Sequence, residues 1–200
     1  QLDITVVLNH VSNLLADPTL TMVGHNLKYD LTVLETVGLI PQCVLADTML
    51  MSYVLDAAGG RHDMDSLAKR LLGVDTISYE DVCGKGAKQI GFAAVPLEQA
   101  SEYAAEDADV TLRLFNQFSR RLADEPSLQS IYQDLELPVM LVLREMENHG
   151  ALLDSAILRS QSKLLGTRLE ELESEAQTLA GRPFNLASPK QLQEILFDEL

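Results

Sequence analysis

Thr21-Met22-Val23-Gly24-His25-Asn26-Leu27-Lys28-Tyr29-Asp30 is the passage on which the fold turns. Thr21 to His25 is a short apolar run, long enough for a buried strand. The chain then passes into Asn26 and Lys28, and Asp30 opens a helix through Leu31, Leu34 and Val37, closed by Gly38 and followed by Pro41. A strand feeding a helix through a polar corner is the unit of an α/β layer. Acids at strand ends or helix starts are where such layers keep ligand-binding groups. Asp30 is therefore a candidate site residue, set against the plain alternative of an N-cap.

Working outward, Leu2 to Leu15 has helical apolar spacing and ends at Asp17-Pro18. On the other side, Cys43 to Ala46 reads as a second strand. Asp47 or Thr48 then caps a helix through Leu50, Tyr53 and Val54, broken by Gly59-Gly60. A further helix runs from Asp63 to Leu72 and stops at Gly73, and Thr76 to Phe92 is a loop-rich excursion containing Gly84-Lys85-Gly86. Pro96 suits a first helical turn. The long helix after it, to about Leu122, has a core stripe of Ala104, Ala108, Thr111, Phe115, Phe118 and Leu122.

Ala123-Asp124-Glu125-Pro126 is the best linker, and it places a domain boundary near residue 126. Everything beyond is helical. One helix runs from about Gln129 to Asn148 and ends at Gly150. Another starts at Asp154 and carries Leu158, Leu165, Leu172 and Leu179 at seven-residue spacing, a stripe that predicts packing along a partner helix, intramolecular in preference to a dimer. Ser188-Pro189-Lys190-Gln191 has the form of a capped helix start.

At 46 % hydrophobic and 5 % aromatic, with no Trp, the chain can bury a core built mostly of Leu, Val, Ala and Met. No apolar run reaches the roughly 18 residues of a membrane span, and no charged-then-apolar leader opens the chain. A soluble cytoplasmic protein without a membrane partner is the expectation. Cys43 and Cys83 lack metal-ligand spacing and are too few for a disulfide framework. The net charge of −15 argues mildly against nucleic acid. Its distribution softens that: Lys28 is the only Lys or Arg among the first sixty residues, whereas Arg61, Lys69, Arg70, Lys85 and Lys88 gather in the next thirty.

Two motifs could carry chemistry. In Tyr103-Ala104-Ala105-Glu106-Asp107, Tyr103 and Asp107 stand four apart and share a helix face. A carboxylate with a phenol one turn away suits a metal ligand beside a group that orients water; an acidic turn with an edge tyrosine is the bland alternative. With Asp30 this gives two carboxylates on different elements. Phosphodiester hydrolysis wants such carboxylates, because two Mg²⁺ or Mn²⁺ ions roughly 3.5–4 Å apart can flank a scissile phosphate and take oxygen ligands. Two carboxylates are fewer than the three or four such a site normally needs.

The ordered set of motifs resembles the bacterial family A DNA polymerases, the polymerase I type. Asn26 to Asp30 looks like the second exonuclease motif of their proofreading domain, and Tyr103 to Asp107 like the third. Ala46-Asp47-Thr48-Met49-Leu50, Gly60 to Leu67 and Gly84-Lys85-Gly86 fall between them in family order. Glu136-Leu137-Pro138, Met146 to Gly150, Phe184-Asn185-Leu186 and Ser188 to Leu192 resemble the start of the polymerase domain.

The resemblance implies an RNase H-like α/β exonuclease domain over residues 1–125, lacking its first strands, then thumb-type helices of a polymerase domain over 126–200. It implies that Asp107 ligates the tightly held metal and Asp30 serves the second, with Tyr103 orienting the water. Asn26, Tyr29, Arg61 and Tyr79 would hold the frayed single-stranded 3′ end. Mg²⁺ or Mn²⁺ would be the cofactor. DNA, as a 3′ end or primer-template, would be the partner of a monomeric parent at the bacterial nucleoid, and dNTPs would meet only a polymerase palm absent from this chain.

One departure matters. The family supplies two further acids in an Asp-x-Glu motif upstream of Asn26, and none occurs in the first thirty residues. Both ends look cut. The chain alone is therefore expected to show neither polymerisation nor appreciable nuclease activity, and its sheet to expose an edge that favours instability or aberrant dimers. Two rivals stand beside this reading. An exoribonuclease of the RNase D type would share the third motif but not Phe184 to Leu192. A catalytically dead DNA-binding scaffold would bind no Mn²⁺ near Asp107.

Overall fold

The computed structural model describes residues 2–199, which form two compact units, one through Gly150 and one from Ala151. The first unit opens with α1 (Ile4–Leu15), whose N-cap Asp3 accepts from the Thr5 N–H, and β1 (Thr21–Gly24). Next come α2 (Leu27–Thr36), β2 (Val44–Asp47) and α3 (Thr48–Leu55). The two strands pair in parallel, Thr21 opposite Val44 and Gly24 opposite Asp47, with α2 as the crossover. The α/β expectation holds for an architecture that is mostly helix around a small sheet.

The helix after β1 starts earlier than its acid suggested. Asn26 is the N-cap, in left-handed conformation with φ 65°, so Asp30 lies in the first helical turn and not at the cap. Asparagine tolerates this region better than other side-chain-bearing residues. The capping work falls to Asp47. Its buried carboxylate accepts from the N–H groups of Asn26, Leu27, Met49 and Leu50, tying the starts of α2 and α3 to the end of β2. Its own N–H donates to the Tyr132 hydroxyl at 2.9 Å.

Asp63 caps α4 (Met64–Leu67), which continues as π-helical turns to Leu72 and ends at left-handed Gly73. Within the excursion that follows, Ser78 and Asp81 form a capping box for α5 (Tyr79–Cys83). Pro96 is the N-cap of α6 (Leu97–Ala123), one position before the first turn. The core face of α6 is Val110, Thr111, Leu114, Phe118 and Leu122, with Phe115 half-buried; Ala104 and Ala108 are exposed. The expected stripe holds from Thr111 onward; it fails at Ala104 and Ala108, and Val110 and Leu114 add to it beside Leu67, Ala68 and Met51.

The two-residue break at Asp124-Glu125 does not end the unit. α7 (Pro126–Ser130) runs through π-helical turns into α8 (Leu137–His149), and Tyr132 and Met140 are buried in the same unit's cores. Salt bridges Lys28–Glu147 and Arg144–Glu35, both at 2.5 Å, fasten α8 to α2. The first compact unit thus extends through Gly150.

In the second unit, Asp154 caps α9 (Ser155–Ala180) through the Ala156 and Ile157 N–H groups, and left-handed Gly181 closes it. The leucine stripe is open: no residue of α9 is buried, and Leu165 and Leu179 are 67 % and 73 % exposed. The expected intramolecular helix pair is not formed within this unit, because the other helix there, α10 (Pro189–Gln193), is far too short to cover a seam of 26 residues. Ser188 caps α10, but Gln191 turns its Oε1 to the Asn185 N–H instead of completing the box.

Candidate active site

Asp30 and Asp107 line one cleft of about 740 Å³, together with Gly24, His25, Tyr29, Met64 and Thr111. The end of β1 and the first turn of α2 form one wall, and the middle of α6 the other. Gly24 makes the approach possible: a Cβ there would lie 3.0 Å from Asp30 Oδ2 and 2.6 Å from Leu27 Cδ1. The absence of a side chain lets the carboxylate sit against the strand end. No spacing rule marked Gly24, whose role depends on a contact that only folding creates.

Both carboxylates are held above the usual range. Burial raises Asp30, and the negative charge of Asp47 adds to it. Burial also raises Asp107, against an opposing hydrogen-bond interaction with Tyr103, and the charges of Asp65 and Glu106 push it further up. Asp107 Oδ1 is buried with no hydrogen-bond partner. An orphaned carboxylate oxygen among like charges is an oxygen donor short of a cation. The donor set fits a hard divalent ion in part: among the described residues no cluster of three His, Cys, Asp or Glu side chains is placed to hold a metal.

Tyr103 stands one turn before Asp107, half-buried. Burial and the neighbouring carboxylate push its phenol up to about 12, so it stays protonated through neutral pH. It belongs to a ring cluster with Tyr79 and Phe92, at centroid separations of 6.5 Å and 5.8 Å. Sequence reading named Tyr79 and missed Phe92. It also missed Glu106 as a tether: Glu106 Oε2 accepts from the Ile77 N–H at 2.6 Å and pins the excursion to the residue beside Asp107.

Of the other named residues, Tyr103, Tyr79, Asn26 and Arg61 do not line this cleft, and Tyr29 does. Tyr29 is on the cleft wall and 66 % exposed. Asn26 is off that wall, lining a separate small hollow with Asp47 and Met140. Arg61 is exposed and bound to Asp63 at 2.8 Å, so it would have to leave that ion pair to meet a phosphate. His25, on the cleft wall, was not singled out. Thr48 donates its hydroxyl to the Gly24 carbonyl and therefore accepts from His25 Nδ1–H at 2.8 Å. The imidazole is thereby fixed as a brace between β1 and α3, and burial lowers its pKa.

Residues 1–123 match the model of the 3′-5′ exonuclease domain of the family A DNA polymerases. The whole chain is 49 % identical to DNA polymerase I of Pseudomonas aeruginosa and 43 % identical to that of Rhizobium leguminosarum, covering 22 % and 20 % of their lengths. A solved structure, the POL domain of Pol1 from M. smegmatis in complex with DNA primer-template and dNTP, is similar with a TM-score of 0.73 at 26 % identity. The match covers all of this chain and 31 % of that one. The chain spans about a fifth of the curated relatives. Members of this exonuclease family are metal-dependent nucleases, which agrees with a cleft that gathers carboxylates. With two acids on separate elements facing one cleft and a match to the exonuclease model over residues 1–123, the chain belongs to the 3′-5′ exonuclease family of the bacterial DNA polymerases I.

Proposed function

We propose that this chain is the proofreading part of a DNA polymerase I and that its cleft receives the single-stranded 3′ end of DNA for hydrolysis of the terminal phosphodiester. The observation that carries the reading is the convergence of Asp30 and Asp107 on one cleft, with an Asp107 oxygen left unpartnered. Asp107 and Asp30 would hold Mg²⁺ or Mn²⁺. When bound, such ions activate water and stabilise the charge that develops on the phosphate.

The chain's own groups do the rest. Tyr103 keeps its proton at working pH, so it orients water through its hydroxyl and is not the base. Tyr79 offers an exposed ring for stacking a nucleobase, and Tyr29 a second aromatic at the rim. Arg61 would trade Asp63 for a phosphate, and Asn26 would contact the strand from the corner it caps. Residues 126–200 are read as the start of the polymerase domain, and primer-template DNA as the larger partner. A monomer at the nucleoid in the cytoplasm completes the reading.

In the polymerase that carries this chain, Asp107→Ala should abolish 3′ trimming and leave polymerisation largely intact. Equal loss of both activities would mean that the cleft is not a separate nuclease site. The 200-residue chain alone should trim labelled single-stranded DNA poorly with Mg²⁺, since two acids provide only part of an ion-binding set. Robust trimming by the chain, lost on Asp107→Ala, would overturn that expectation. The scaffold alternative is separated by Mn²⁺ titration of the polymerase, in which a site lost with Asp107→Ala excludes it.

A further inference from the structure

We propose that Phe92 is a positioning residue that couples the grip on the terminal nucleobase to the placement of the Tyr103 hydroxyl. The proposal rests on the exonuclease reading of the cleft and deepens it. Phe92 stacks on Tyr79 at 6.4 Å and 23°, and leans on Tyr103 at 5.8 Å and 57°. Tyr79 in turn meets Tyr103 edge-on at 6.5 Å. The three rings close a triangle, so a shift of one bears on the other two.

The backbone beneath is fixed on every side. The Ile77 N–H is held by Glu106, the Ile90 N–H donates to the Cys83 carbonyl at 2.8 Å, and the Val95 N–H returns to the Phe92 carbonyl at 3.0 Å. Val95 is itself buried. Tyr79 and Phe92 remain 43 % and 38 % exposed, enough to meet a base, whereas Tyr103 is half-buried beside Asp107. A base stacked on Tyr79 therefore loads the triangle from its open side, and Phe92 carries that load to the phenol. The terminal base then contributes to kcat as well as to KM, which simple stacking on an isolated ring would not require.

The test uses the polymerase carrying this chain and two labelled 3′ ends, one with an ordinary terminal nucleotide and one with an abasic terminal residue. Wild type should show kcat for trimming roughly 10-fold lower on the abasic end, the order of one aromatic contact. In Phe92→Leu the ordinary end should slow to near the abasic rate, so that the ratio approaches one. Phe92→Tyr, which keeps the ring, should restore it, and unchanged thermal melting and protease resistance of the exonuclease region report that each variant is folded. A wild-type ratio in folded Phe92→Leu, or an abasic effect confined to KM in wild type, would overturn the coupling. If Asp107→Ala still trims, the exonuclease reading itself fails; if Asp107→Ala is inert while Phe92→Leu keeps the ratio, only the coupling fails.

Discussion

Asp47 is a single carboxylate serving four backbone N–H groups at the corner where β2, α2 and α3 meet. Asp47→Ala leaves these donors short of a partner in the core and should cost about 2–4 kcal/mol, read as a lower urea midpoint at unchanged slope. A loss below about 0.5 kcal/mol would show that water substitutes for the carboxylate. Gly24→Ala acts on both stability and chemistry, because its methyl would press on buried Leu27 Cδ1 and on Asp30 Oδ2. Trimming should fall roughly 100-fold, the scale of an ångström misplacement, with polymerisation unchanged. The two raised carboxylates also give a pH prediction. Their native pKa values lie above the unfolded values, so ionisation burdens the native state at neutral pH, and the burden disappears as pH falls below the unfolded carboxylate range. Without divalent ions, Asp30→Asn and Asp107→Asn should therefore raise thermal stability at pH 7, by less than about 1 kcal/mol given their partial solvent access. The gain should vanish near pH 3; a loss at pH 7 would contradict it. At this scale Asp30, Tyr103 and Asp107 were legible because a strand end and a four-residue helical step are local patterns. Gly24, Phe92 and Glu106 were not, since each acts through a partner 6 to 29 residues away.

Among the elements, α6 does most to organise the unit. Leu114 and Phe118 are fully buried on one side, while Asp107, from an earlier turn, lines the cleft. Phe118→Ala should destabilise by about 3–5 kcal/mol, and calorimetric melting would check it. The helical periods of α1, α6, α8 and α9 were readable, as were the stops at Gly73 and Gly150, because periodicity and left-handed glycine are written in the chain. The face that α6 turns inward was readable from Thr111 onward but not before it. Ala104 and Ala108 match the period of a core stripe, yet only the elements packed on a helix decide which of two neighbouring stripes is covered. α9 teaches the same lesson in reverse. Its heptad leucines are plain in sequence and exposed in structure, so paired Leu158→Lys and Leu172→Lys changes should alter the stability of the chain by no more than about 0.5 kcal/mol.

For the whole molecule, thirty acidic and fifteen basic residues give a net charge of −15 that does not by itself draw in nucleic acid. The proposed grip is aromatic and relies on few phosphate contacts. The KM for trimming a short single strand should accordingly rise only shallowly with monovalent salt, with a slope near one or two, whereas a basic channel making six or more contacts would give a steep one. The fold class was legible from the alternation of two strands with helices, whereas the packing of Tyr132 against Asp47 was not, because the two lie 85 residues apart in the chain. The tether from Glu106 to Ile77 has a further consequence. The excursion and the Asp107 carboxylate hang from adjacent residues of one rod, so evolution or an engineer cannot exchange one as a module without resetting the other. Transplanting residues 76–95 into a different nuclease would succeed only if the turn from 103 to 107 travelled with them.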